Sequence, residues 1–296
     1  MNSIPAMQDG LTQMSDGYLS SIDKTDDLPF HPVFVVGAPR CGTHFIHSLA
    51  CTSERANPFV PEYHYFYLML EAYVRSLSSF NAADSAGFAS KEEFTAHHFV
   101  FMRNALLAMW EHLGKPESLV MKHCSLTPFL SIVGPRFPNM KFLAIQRDAR
   151  DSVASEIRAV RKHLGDPSAL PTEVINKAIA RYNFYYGSLV RVASSLAGRL
   201  QCVRYEELVQ GKGIEEIGRF LNFHDIDPRK LWKRATFDIG DFSDFLLHSD
   251  LWGSPMSTKH VGRYKDTLPD YMSDHIRTQT KRVTLAFEAL CGTYAS

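Results

Sequence analysis

The chain has 296 residues, 45% of them hydrophobic, and its 32 basic and 32 acidic side chains cancel to a net charge of zero. That apolar content supports a large core and excludes a wholly disordered chain. The charge balance excludes a general attraction to nucleic acid or to an anionic membrane, and no apolar run approaches the ~20 residues of a membrane span.

Residues 1–29 are polar, carry Pro5, Gly10 and Gly17, and have no apolar stretch of the signal-peptide kind. They are expected to form a loosely ordered extension ahead of one α/β domain over residues 30–296. The five cysteines (Cys41, Cys51, Cys124, Cys202 and Cys291) are odd in number and scattered, which predicts reduced thiols and a cytoplasmic setting.

Val33 to Val36 read as a short buried strand. Gly37-Ala38-Pro39-Arg40-Cys41-Gly42 breaks it, and from Thr43 the apolar spacing becomes helical through Phe45, Ile46 and Leu49. Strand, glycine-bounded loop and helix aim backbone N–H groups and a helix N-terminus at a phosphate. Gly37 and Gly42 have the separation of a nucleoside-triphosphate P-loop. Where that loop needs Lys and then Ser or Thr, however, this chain has Thr43 and His44. The metal-ligating hydroxyl sits one place early, and the cation is Arg40, inside the loop. The pattern therefore predicts a P-loop-like phosphate site for a nucleotide whose reactive group is not Mg-bound ATP.

Cys51 to Tyr67 is a Pro- and aromatic-rich loop leading into a helix from Tyr65 to Leu77, and Asn81 to Ser90 reads as a linker. Ser90-x-x-Glu93 is a capping box for a helix reaching Leu113, with Phe94, Phe101, Ala105 and Ala108 as its expected apolar face. Ser118 to Lys122 is a second strand, Leu126 to Phe137 a short helix, and Lys141 to Gln146 a third strand. Arg147 ends that strand, and the next helix carries Val153, Ile157, Val160 and Leu164. Gly165 to Pro171 is a loop, followed by a long helix with a stripe from Ile175 through Tyr182 and Leu189 to Leu196. Leu200 to Arg204 is a fourth strand, and Ile214 to Leu221 is helical. Strands alternating with helices predict a central parallel sheet with helices on both faces. Such sheets bind ligands beyond the carboxyl ends of their strands, where Gly37 to Thr43, Lys122, Arg147 and Tyr205 all fall.

Gly37-x-Pro39-Arg40-Cys41-Gly42-Thr43 resembles the 5′-phosphosulfate loop of sulfotransferases that use 3′-phosphoadenosine-5′-phosphosulfate (PAPS). Arg147-Asp148-Ala149-Arg150-Asp151, with Ser155 four residues further on, resembles their 3′-phosphate motif, with Ala149 in place of the usual Pro. Val203-Arg204-Tyr205-Glu206-Glu207-Leu208 is similar to the strand end whose Tyr lies near the adenine. Ser257 to Lys265, with Thr258, Lys259 and Arg263, resembles the loop that closes over the 3′-phosphate, Tyr264 replacing the more frequent Trp.

The resemblance implies an enzyme that transfers a sulfuryl group from PAPS to a hydroxyl acceptor (a small molecule, a glycan or a Tyr peptide) and releases PAP without metal. It implies cofactor contacts from Arg40, Cys41, Gly42, Thr43, His44, Arg147, Ser155, Tyr205, Thr258, Lys259 and Arg263. Lys122 resembles the family's sulfuryl-binding Lys. The hormone-type enzymes place a His base where this chain has Cys124. Tyrosylprotein, glycan and several bacterial sulfotransferases instead have a Glu about twenty residues after the loop, matched by Glu62, with His64 and His123 in reserve. Three other readings remain open at this point: a nucleotide-dependent kinase, a non-catalytic nucleotide-binding protein of the same fold, and a metal site on His44-x-x-His47.

Overall fold

The computed structural model describes residues 28–81, 87–164, 172–236 and 253–293. Nearly all of the expected N-terminal extension, the Gly165–Pro171 loop and the middle of the linker after Asn81 lie outside the described residues. Strands β1 (His31–Val36), β2 (Ser118–Lys122), β3 (Lys141–Gln146) and β4 (Leu200–Arg204) form one parallel sheet in the order β2-β1-β3-β4. Strands covered on both faces are apolar throughout rather than alternating, and Val33 to Val36 are all buried. Val35 lies opposite Lys122, and Val36 opposite Ala144, so the carboxyl ends are nearly level. The strand order reverses at β1, and the crevice beyond β1 and β3 is the topological switch point.

Helix α1 (Thr43–Ala50) covers one face, and α2 (His64–Ser79), α3 (Lys91–His112), α4 (Leu130–Arg136), α5 (Ala149–Leu164) and α6 (Thr172–Val192) belong to the other. The single turn α7 (Tyr205–Leu208) leads to α8 (Ile214–Leu221), which joins α1 on the first face, and α9 (Asp270–Thr293) closes the second. On the first face Phe45, Leu49, Ile217 and Leu221 pack against Val33 and Val35. On the second, Phe66, Met102 and Tyr186 join Phe34 and Val36.

The stripe expected along α6 is buried from Ile175 to Leu189, and Leu196 continues it in the 3-10 turn Ala193–Leu196. The capping box forms: Ser90 Oγ accepts from Glu93 N at 3.2 Å. The expected apolar face of α3 is displaced, because Thr95, Phe99, Met102 and Leu106 are the buried residues while Phe101 is 47% exposed. That helix is apolar on several sides, so its pattern did not single out one face. Residues Leu126 to Phe137 form a 3-10 segment (Cys124–Phe129) and then α4, not one helix. Among the described residues no helix is long and apolar enough to cross a membrane, and all five cysteines are free thiols.

Residues 55–63 run beside the outer edge of β2 and cover it. Ser118 N–H donates to Arg55 O at 3.0 Å and Tyr63 N–H to Lys122 O at 3.2 Å. Between them the Asn57 amide exchanges hydrogen bonds with both backbone groups of Val120. This run brings the residue before Tyr63 to the carboxyl end of β2.

Candidate active site

The loop after β1 turns on three residues with positive φ: Gly37 (146°), Arg40 (67°) and Gly42 (95°). A Cβ on Gly37 would lie 2.6 Å from Ile145 O, and one on Gly42 2.6 Å from Tyr205 Cδ2. Both positions therefore require glycine by space as well as by conformation. Arg40 holds a left-handed conformation that costs a non-glycine residue about 1–3 kcal/mol, the kind of strain that collects at ligand sites. Thr127 Oγ1 accepts from Gly37 N–H at 2.9 Å and fixes the loop's entry. Gly42 begins α1 with no side-chain cap, so the first N–H groups of that helix lack an intrahelical acceptor.

Two distant motifs meet above this loop. Arg40 Nε donates to Ser155 Oγ at 3.1 Å across 115 residues of chain. Cys41 lies beneath, its Sγ 3.2 Å from Ser152 Oγ; burial pushes its thiol pKa up, so it stays protonated and packs as a small apolar group. Arg147 is 4% exposed. It donates to His260 O, lies 3.7 Å from Asp151 Oδ2 and stacks 4.7 Å from the Tyr205 ring. Its buried Nε has no hydrogen-bond partner among the described residues, and neither does the buried Tyr205 hydroxyl. Tyr205 itself is fully buried beneath the glycine loop, its ring edge-on to Phe45 at 5.9 Å. It supports the loop from below.

Lys122 ends β2 with its side chain 1% exposed, and it donates to Glu62 Oε1. It also approaches His44 Nε2 at 3.2 Å. An ammonium can only donate, so that His44 nitrogen accepts and the ring proton sits on Nδ1. Cys124 Sγ donates to the same Glu62 oxygen at 3.5 Å. Burial pushes Glu62 up, but Lys122, His123 and the hydrogen bonds from Lys122 and Cys124 outweigh it and hold the carboxyl below its ordinary value. Glu62 is therefore an ionised acceptor at neutral pH.

His123 stacks flat on Tyr67 at 4.7 Å, and its Nε2 is 2.9 Å from His64 Nδ1. Burial above all lowers its pKa to about 4, so the ring is neutral. The fold thus joins Glu62, Lys122, His44 and Cys124 in one contact network and sets the His64–His123 pair beside it. Their convergence depends on the run beside β2, and the His44–Lys122 contact had no signal in the sequence.

The His44-x-x-His47 pair does not converge. His47 is fully buried, its Nε2–H donating to Val120 O at 3.1 Å, while His44 Nε2 is taken up by Lys122, two residues further along β2. No group of three or more His, Cys, Asp or Glu among the described residues could hold a metal ion. Thr258 and Lys259 lie in a 3-10 turn (Thr258–His260) with Lys259 exposed. Arg263 Nη1 is 3.3 Å from His260 Nδ1, beside the backbone that Arg147 holds.

The sequence matches the sulfotransferase family over residues 32–227. The chain belongs to that family. It is thus an enzyme of the group that transfers sulfuryl groups, and the matched span contains the glycine loop, Glu62, Lys122, Arg147, Ser155 and Tyr205. Among solved structures it is similar to the sulfotransferase domain of the Synechococcus PCC 7002 olefin synthase, with 16% identity and a TM-score of 0.56 over 88% of this chain and 98% of that one. It is similar to the sulfotransferase domain from the curacin biosynthetic pathway at 17% identity and a TM-score of 0.53, covering 86% of this chain and 99% of that one. A sulfotransferase from Alicyclobacillus acidocaldarius matches at 14% identity and a TM-score of 0.50, over 91% of this chain and all of that one. At these identities the likeness is one of fold. No curated protein matches the sequence significantly.

Proposed function

We propose that this sulfotransferase uses PAPS, releases PAP, and sulfates a hydroxyl acceptor without metal, with Glu62 as general base. The observation that carries the reading is the Arg40–Ser155 contact at 3.1 Å, which joins the two phosphate motifs over the uncapped start of α1. The residues present fit such a donor. The glycine loop and the N–H groups of Thr43 and His44 would hold the 5′-phosphate. The buried Arg147, whose Nε has no partner among the described residues, and Ser155 would hold the 3′-phosphate. Lys259 and Arg263 would approach the latter from the C-terminal loop.

PAPS, when bound, supplies the activated sulfuryl group. Arg40 and the helix N-terminus would stabilise charge developing on the leaving phosphate. Lys122 would turn its ammonium from Glu62 toward the sulfuryl oxygens. Glu62, ionised and partly exposed, would then take the acceptor's hydroxyl proton.

One observation favours a second base. His123 is neutral and hydrogen-bonded to His64, so that pair would be the other proton acceptor, at the cost of charging a buried ring. Comparing Glu62→Gln with His123→Asn separates the two. The cofactor reading is tested by titration calorimetry with PAP in the presence and absence of EDTA. Binding that ignores EDTA supports it; no binding, or binding that needs Mg²⁺, overturns it.

A further inference from the structure

The second acidic residue of the Arg147–Asp151 run has no part in the reading above, and it differs sharply from the first. Asp148 is partly exposed and forks with Arg150 on its own helix turn. Asp151 is 1% exposed and reaches across to the far end of the chain. Its Oδ2 accepts from Gly262 N–H at 2.7 Å and its Oδ1 from Tyr264 N–H at 2.8 Å. Its charge lies 3.7 Å from Arg147, which itself donates to His260 O. A buried carboxylate is tolerable only when paired and hydrogen-bonded, and here three groups satisfy it, two of them backbone amides of one loop. Gly262 has φ 76° and starts the 3-10 turn Arg263–Asp266, so the two amides flanking Arg263 both point at one carboxylate. Weaker ties assist: Arg150 stacks 4.1 Å from the Tyr264 ring, and Arg158 donates to Thr267 Oγ1 at 2.8 Å.

We propose that Asp151 is a positioning residue that latches the 260–264 backbone to α5 and thereby presents Arg263 beside Arg147 for cofactor binding. Arg147 and Asp151 act as a pair one helical turn apart, the cation taking a loop carbonyl and the anion taking two loop amides. The residue that would grip the phosphate is thus tied through Asp151 to the loop that would close on it. The inference rests on the PAP-binding reading, so its test carries one readout independent of PAP.

Hydrogen exchange in the ligand-free protein supplies that readout. The amides of Gly262 and Tyr264 are expected to be protected in the wild type and to exchange at least tenfold faster in Asp151→Asn, where an NH₂ group replaces one accepting oxygen. Equal exchange in both proteins overturns the latch, whether or not PAP binds.

Calorimetry then gives a double-mutant cycle. Asp151→Asn should weaken PAP at least tenfold, and Arg263→Ala should weaken it in the wild-type background but change affinity less than twofold in Asp151→Asn. Additive losses would show that Asp151 does not act through Arg263. Because Asp151→Asn alters the interior, the loop side is tested as well. Tyr264→Pro removes one donor to Asp151, and Tyr264→Ala removes the ring but keeps the N–H. Proline should weaken PAP and deprotect Gly262 beyond alanine; indistinguishable variants would overturn the proposal. If the wild type failed to bind PAP while the exchange pattern held, the cofactor assignment would fall and the latch would stand.

Discussion

Lowering the pH from 7 to 4 should destabilise the fold by several kcal/mol through two buried histidines. His47 has its pKa lowered from 6.5 to about 3, chiefly by burial, and His123 from 6.5 to about 4, again chiefly by burial. Both folded-state values lie below the unfolded one, so the unfolded chain takes up protons first and stability falls as the pH drops below about 6.5. At 1.36 kcal/mol per pH unit, the loss between pH 7 and 4 is about 3 kcal/mol for each ring. Together they approach the whole stability of an ordinary domain, about 5–15 kcal/mol. His47 is the cleaner test. Its Nε2–H holds Val120 O, its Nδ1 is buried without a hydrogen-bond partner among the described residues, and protonation would place a charge between α1 and β2. His47→Gln retains a donor for Val120 and removes the titration. Urea denaturation at pH 7, 5.5 and 4 should show the wild type losing about 3 kcal/mol more than the variant across the range. Parallel curves would refute a neutral, buried His47.

Arg40→Ala should lower kcat by about 10²–10³, the scale of losing one donor to developing charge, with PAP affinity changed less. Arg147→Ala should do the reverse, weakening PAP by about 10–100-fold in calorimetry, as expected for losing a charged hydrogen bond. Glu62→Gln should leave PAP binding intact and lower turnover by about 10²–10⁴. That deficit should shrink for nitrophenols, whose hydroxyl ionises near neutral pH. Gly42→Ala should cost about 1–3 kcal/mol in thermal or urea melts, since its Cβ would press on Tyr205, and should weaken PAP as the loop shifts.

The parallel sheet was legible because each strand is a short apolar run at a glycine, Arg or Lys boundary, and β2, β3 and β4 occupy the expected residues. β1 extends back to His31 because that residue pairs with Ser118 in the register of β2. The long helix α9 was not legible. Its buried residues, Met272, Ile276, Thr280 and Phe287 among them, are sparse and partly polar, so no apolar stripe announces it. Glu62 and Lys122 could each be singled out by resemblance. Their contact could not, because it depends on residues 55–63 lying along β2, a pairing made by Asn57 and backbone groups with no apolar signature. Tyr205 stands at the expected strand end but packs beneath Gly42, since the close approach that demands glycine there is the approach of its own ring. The Asp151 latch spans more than a hundred residues, a separation that sequence spacing does not encode.

Sulfuryl transfer from PAPS would fall to the network around Glu62 and Lys122. Its most direct test is transfer of labelled sulfate from PAPS, with EDTA present, to a panel of phenols, aliphatic alcohols, sugars and Tyr peptides. The account predicts a labelled product from at least one class and PAP released in equal amount, with both abolished or severely reduced in Lys122→Met. PAP release without a sulfated product, or transfer unchanged in Lys122→Met, would contradict it.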